Sequence, residues 1–196
     1  MLKIHQLTLG MYQTNTYIIH DDAAKTCVVI DPGYEARTIA HAAANAGLEI
    51  EAILLTHGHF DHVGAARELA MDTDCPVYIH AAESTMPPML TAGDLSYART
   101  YGEGDCLHLA GLDIYPIHTP GHTPGSVCLL MGKEMFSGDT LFACSFGRTD
   151  LPGGDPRKMM ESLRRLASLQ GNFFIHPGHG GSTTLDAEKR FNPYMH

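Results

Sequence analysis

Glu51-Ala52-Ile53-Leu54-Leu55-Thr56-His57-Gly58-His59-Phe60-Asp61-His62 is a short apolar run that ends in three histidines and an aspartate. Glu51–Thr56 reads as a buried strand, because it is brief and mostly apolar. Side chains at the C-terminal end of such a strand project into the crevice where α/β proteins place ligands. His57 and His59 are two apart, so they face one way if the chain stays extended. Asp61 and His62 then come from the turn into a helix expected over Val63–Met71, and serve a second position nearby. A lone strand histidine is usually structural or exposed. Four polar side chains in six residues are not explained by packing, since each needs a partner when buried, whereas metal ligation accounts for all four. The segment is not H-E-x-x-H, so a helical zincin is excluded.

Four ligands can close a structural site, whereas a catalytic site keeps a position open. Further ligands are therefore expected downstream. His118-Thr119-Pro120-Gly121-His122-Thr123-Pro124-Gly125 follows an apolar strand and presents His122 from a turn fixed by Pro and Gly. Phe136-Ser137-Gly138-Asp139-Thr140 ends another strand with a carboxylate. Ile175-His176-Pro177-Gly178-His179-Gly180-Gly181 ends a third with a histidine between glycines. Each signal is weak singly. Together they give seven candidate ligands: His57, His59, Asp61, His62, His122, Asp139 and His179.

Around these motifs strands and helices alternate. Strands are expected at Lys3–Leu9, Thr16–His20, Thr26–Ile30, Pro76–His80, Leu112–Ile117, Val127–Met131, Glu134–Ser137 and Asn172–His176. The Ala-rich stretch Ala36–Ala46 before Gly47 reads as a helix with a glycine stop. Asp155-Pro156 opens another, with a capping residue and Pro at its first position. Met159, Met160, Leu163, Leu166 and Leu169 give that helix an apolar stripe, read as core packing. A short helix over Leu185–Phe191 closes the chain. Residues 85–105, punctuated by Pro and Gly, read as an irregular stretch that rims a site. The pattern is α/β in two halves, near 1–95 and 105–196. It predicts two sheets packed face to face with helices outside, in one domain spanning 1–196.

Composition narrows the function. The chain has 196 residues, 44% hydrophobic and 18% charged, as in a globular protein. Its net charge is −9 and no cluster of five Lys/Arg occurs. That disfavours nucleic acid and anionic membrane as partners. The five cysteines include no CxxC and read as reduced thiols. Polar residues interrupt the first apolar run and no stretch of about 18 apolar residues occurs, so a cytoplasmic location is expected.

The set T-H-x-H-x-D-H (56–62), T-P-G-H-T-P-G (119–125), S-G-D-T-L-F (137–142) and P-G-H-G (177–180) resembles the metallo-β-lactamase superfamily over nearly the whole chain. Phe146-Gly147-Arg148-Thr149-Asp150, Gly153-Gly154-Asp155 and the tail Thr183-Thr184, Glu188-Lys189, Asn192-Pro193 resemble its glyoxalase II-like branch, the hydroxyacylglutathione hydrolases. The chain ends at His196, where full-length glyoxalases II continue into a helical region that helps hold glutathione; the resemblance is to a short form. It implies an αββα four-layer sandwich of two mixed sheets. It also implies two divalent metals, zinc first with iron or manganese as alternatives. His57, His59 and His122 would hold one, Asp61, His62 and His179 the other, with Asp139 bridging.

The activity implied is hydrolysis of a thiol-carrier thioester, such as lactoylglutathione, to hydroxy acid and thiol by a metal-bound hydroxide. Asp61 would be catalytic, orienting that hydroxide as well as binding metal. Arg148, a lone guanidinium in a Gly-flanked loop, suits a substrate carboxylate, with a surface ion pair as the plainer reading. Asp31 at a strand end is read either as orienting a ligand histidine or as turn chemistry. His118 is expected to be supporting or structural, and Cys144 a buried inert thiol. The alternative is a mononuclear-iron sulfur (persulfide) dioxygenase. That group also resembles this branch, including G-R-T-D, and holds its iron at the positions of His57, His122 and Asp139.

Overall fold

Thr14–Asp21 (β2) pairs antiparallel with Thr26–Ile30 (β3). Their residues alternate between two apolar faces. Tyr17, Ile19, Val28 and Ile30 belong to one buried cluster, and Ile18, Cys27 and Val29 to another. A sheet with two apolar faces must be covered twice, and that requirement builds the rest of the molecule. The computed structural model describes residues 1–195; His196, which has no motif context, lies outside them.

The first sheet runs in the order β1-β2-β3-β4-β5-β6, adding Leu2–Leu9 (β1), Glu49–Leu54 (β4), Val77–His80 (β5) and Arg99–Tyr101 (β6). β3 to β6 are parallel. Parallel neighbours need crossovers. Ala36–Asn45 (α1) joins β3 to β4, and Phe60–Val63 (α2) with Ala66–Thr73 (α3) joins β4 to β5. Ile39, Ala43, Ala66 and Leu69 close the outer face of this sheet.

Leu107–Leu109 (β7), Leu112–His118 (β8), Val127–Met131 (β9), Glu134–Gly138 (β10), Phe174–Pro177 (β13) and Thr183–Thr184 (β14) form the second sheet. Its order is β14-β13-β10-β9-β8-β7. A small hairpin, Leu141–Phe142 (β11) with Ser145–Phe146 (β12), leaves β10. The crossover from β10 to its parallel neighbour β13 carries Pro156–Ser168 (α4). Met159, Leu163 and Leu166 of α4, with Leu185 of Leu185–Phe191 (α5), cover the outer face over Cys128, Met135 and Ile175. Between the sheets lie Tyr17, Val28, Leu54, Ile114, Leu129 and Phe136. Three apolar interfaces separate four layers, and the αββα expectation holds.

Strand direction sets the site's position. β3, β4, β10 and β13 end on one edge of the sandwich, where the sheets interlock. Val127 N–H donates to Thr56 O (2.9 Å), Asn15 N–H to Gly178 O (2.8 Å), and the Tyr17 hydroxyl to Pro177 O (2.7 Å).

Several boundaries differ from the sequence reading. The strand expected over Glu51–Thr56 starts at Glu49 and stops at Leu54, because Thr56 turns away toward Asp31. The helix expected over Val63–Met71 is two helices. Ala65 N–H donates to Pro32 O, and a Cβ on Gly64 would stand 2.6 Å from Gly33 O, so the chain breaks where it presses on the 31–33 turn. Residues 85–105 include β6, an edge strand too short to show a period. Among the described residues no helix is long and apolar enough to cross a membrane.

Phe136 fills the centre between the sheets, 5.0 Å from the Tyr17 ring and 4.9 Å from His176 between centroids. Phe136→Ala should lower unfolding free energy by about 3–5 kcal/mol in urea titration; a loss under about 1 kcal/mol would contradict this layering.

Candidate metal centre

The structure brings all seven candidate ligands to the interlocked edge. His59, in extended conformation, directly precedes α2, His57 stands in the bend just before it, and Asp61 and His62 come from the first turn of that helix. His122 comes from the loop between β8 and β9, Asp139 from the end of β10 and His179 from beyond β13. Two sets of donor atoms lie mutually within 4.8 Å: His57, His59 and His122, and Asp61, His62 and His179. Asp139 stands between them. Its Oδ1 is 3.4 Å from His62 Nε2, and its Oδ2 is 3.4 Å from His122 Nε2 and 3.6 Å from His179 Nε2. Asp61 Oδ2 lies 3.2 Å from His179 Nε2 and 3.7 Å from His62 Nε2. Donors about 2.0–2.1 Å from one tetrahedral ion sit ~3.4 Å apart, so these spacings suit ligation.

The ring orientations are determined by what each Nδ1 touches. His122 Nδ1 donates to Arg148 O (2.7 Å) and His179 Nδ1 to Tyr12 O (3.1 Å). A carbonyl only accepts, so both rings carry a proton on Nδ1 and turn Nε2 inward, where His122 Nε2 meets His59 Nδ1 (2.8 Å) and His179 Nε2 meets Asp61 Oδ2. His62 Nδ1 donates to Asp31 Oδ2 (2.9 Å). Asp31 also accepts from Thr56 N–H (2.7 Å) and from the Thr56 hydroxyl (2.6 Å). That hydroxyl has spent its proton and accepts from His57 Nδ1 (3.1 Å). Asp31 thus orients His62 directly and His57 through Thr56. The turn and orienting readings of Asp31 merge: its φ is +50°, a left-handed conformation Asp tolerates, and the carboxylate is buried.

His57 Nε2, His59 Nε2 and Asp139 Oδ1 are buried and make no hydrogen bond within the protein. Orphaned buried polar atoms are costly, and donors of this kind fit a divalent ion. Without one the two sets differ in charge. Burial and the neighbouring rings push His57 well below its usual value and His59 down to about 4. His62 is the opposite: burial pulls it down, but Asp139, Asp31 and Asp61 hold it at about 9. Burial would raise Asp61, yet the hydrogen bond from His179 and the charges of His62 and His179 hold it well below the usual carboxylate range.

The centre opens on a cleft of about 530 Å³ whose wall includes Tyr12, Phe60, Leu90, Phe142 and Leu151. Arg148 lies on its edge, its guanidinium in a two-point pair with Asp150 at 2.7 Å each. Its backbone carbonyl, not foreseen from sequence, is what fixes His122. The Tyr12 carbonyl behind His179 was equally hidden, since no motif marks a backbone acceptor. His118 is structural: its Nε2 donates to Pro124 O, and its ring stacks on His80 at 4.3 Å. Cys144 was expected to be buried and is exposed, at φ +55° in the β11–β12 turn; a two-residue turn at the surface leaves nothing to cover it.

The sequence model of the metallo-β-lactamase superfamily matches residues 9–179. Hydroxyacylglutathione hydrolase GloC of Haemophilus influenzae is 33% identical over 212 residues, covering 99% of this chain and 98% of that protein. The crystal structure of TTHA1623 in a di-iron-bound form is 39% identical, with a TM-score of 0.84 over 97% of this chain and 99% of the other. BLEG-1 B3 metallo-β-lactamase is 34% identical with a TM-score of 0.89, covering 100% and 99%.

Asp31→Ala should weaken metal binding about 10–100-fold in chelator competition, with the folded circular-dichroism spectrum retained. Binding at the Asp61, His62, His179 set must also expel the His62 proton below pH 9. Its apparent affinity should therefore rise about tenfold per pH unit between pH 6 and 8, measured by metal titration; a flat profile would contradict the protonated His62.

Proposed function

The chain belongs to the metallo-β-lactamase superfamily, and from that premise we propose that it hydrolyses a thioester, such as a hydroxyacylglutathione, to hydroxy acid and thiol. One observation carries this reading. Two donor sets on either side of Asp139 face a single cleft, with ring nitrogens already turned inward. In this reading His57, His59 and His122 would hold one ion and Asp61, His62 and His179 the other, with Asp139 shared between them. Two divalent ions, zinc first with iron or manganese as alternatives, would supply an activated water and polarise the scissile carbonyl when bound.

The chain's own residues do the rest. Asp61, kept ionised by His179 and His62, accepts a hydrogen bond from the attacking water and sets its direction. The apolar wall of Tyr12, Phe60, Leu90 and Phe142 packs the arms of the substrate and excludes bulk water. Arg148 reads a substrate carboxylate by leaving Asp150, an exposed pair that solvent screens and that is easily broken. The similarity to GloC supports a thioester on a small thiol carrier. Five cysteines without disulfides agree with a reducing cytoplasm, and the fold is read as one domain over 1–196.

A second reading, a sulfur (persulfide) dioxygenase using one iron at His57, His122 and Asp139, is supported by the Gly147-Arg148-Thr149-Asp150 segment and by the similarity to ETHE1 of Myxococcus xanthus, 29% identical with a TM-score of 0.86. Protein purified from its native host separates the two. The hydrolase reading expects two ions per chain and thiol release from lactoylglutathione without oxygen consumption. It further expects Asp139→Asn to lower kcat/KM at least about a hundredfold, and Arg148→Ala to raise KM about tenfold at unchanged kcat. Oxygen uptake on glutathione persulfide with one iron per chain would replace this reading with the second.

A further inference from the structure

Glu83 lies in the 3-10 turn Ala81–Thr85 that follows β5, outside every motif, and is 1% exposed. Its Oε2 accepts from Gly58 N–H and its Oε1 from Gly125 N–H, both at 2.6 Å. Gly58 separates His57 from His59, and Gly125 is the third residue after His122. One carboxylate, carried by a third segment, thus ties together the two loops that supply the three-histidine set. One loop leaves the first sheet and the other lies in the second.

The same contact explains two glycines of the motifs. A Cβ on Gly58 would stand 2.7 Å from Glu83 Oε2, and one on Gly125 would stand 2.7 Å from Oε1 and 2.8 Å from Cγ. Neither glycine has a left-handed φ. Room for the carboxylate, not backbone freedom, requires them. The other set has separate supports: Asp31 behind His62 and the Tyr12 carbonyl behind His179.

We propose that Glu83 is a positioning residue that sets metal affinity selectively at His57, His59 and His122, leaving the Asp61, His62, His179 position largely alone. This rests on the two-ion reading above. Both N–H groups need an acceptor in the interior, and both acceptors belong to one rigid group. Glu83→Gln keeps the shape but offers one oxygen, while its NH2 faces the other N–H. One loop must then retreat, and the three imidazoles lose their common focus.

The test titrates metal-free wild type, Glu83→Gln and His122→Ala with cobalt(II), following visible absorption, and repeats each titration against a chelator. Wild type should take two ions. Glu83→Gln should keep one at near wild-type affinity and bind the other about 10–100-fold more weakly. At one equivalent its spectrum should match that of His122→Ala, which identifies the surviving position. Two ions at unchanged affinity, or equal weakening of both, would overturn the inference while leaving the two-ion reading intact. A wild-type protein that binds fewer than two ions would overturn that reading and the inference with it. If Glu83→Gln does not unfold cooperatively, Gly125→Ala, whose Cβ displaces the same carboxylate, is read by the same criteria.

Discussion

A buried carboxylate on a left-handed residue organises this end of the molecule. Asp31 closes β3, and its two oxygens receive the backbone and hydroxyl of Thr56 and the ring of His62. These contacts stop β4 at Leu54, pull the 57–62 segment off the sheet, and orient two imidazoles. The turn must then lie flat against α2. A Cβ on Gly33 would stand 1.6 Å from Asp61 O, so only glycine admits that approach. The break between α2 and α3, the direction of His62 and the end of β4 are consequences of one set of hydrogen bonds.

The price of this arrangement is electrostatic. Five imidazoles and two carboxylates converge where water is largely excluded, and the rings depress one another's basicity at His57 and His59. The carboxylates do the reverse at His62. One half of the centre is therefore neutral and ready to ligate, while the other holds a proton that an ion must displace. Cations with different hydration and acidity will meet unequal halves, although both halves draw on the same residue types.

Much of this was legible in the sequence, for identifiable reasons. Five of the seven converging side chains stand beside Gly just after apolar strands, Asp61 and His62 follow in the same short segment as His57 and His59, and each local context is encoded within a few residues. α4 was visible because Asp155 caps it, accepting from Arg157 and Lys158 N–H groups, and its stripe has the helical period. What escaped depends on distant chain. Tyr12 and Arg148 act through carbonyls, which no residue identity reveals. Glu83 is one acidic residue among many until the 3-10 turn brings it under two loops. The register of β4 and the split of α2 from α3 follow from pressure by the 31–33 turn. Cys144 was misjudged because thiols are usually interior and the β11–β12 hairpin is too short to announce a turn.

The same strand directions that gather the site at one edge leave the other edge without it. The turns at 22–25, 46–48 and 132–133 join β2 to β3, α1 to β4 and β9 to β10 at that far end, and Gly47 and Gly132 have open space around them. None of the site's hydrogen bonds passes through these turns. The sandwich therefore has a conservative pole and a permissive one. New termini from circular permutation, or a fused domain inserted at 132–133, would enter at the permissive pole. The layering would let the two poles diverge independently.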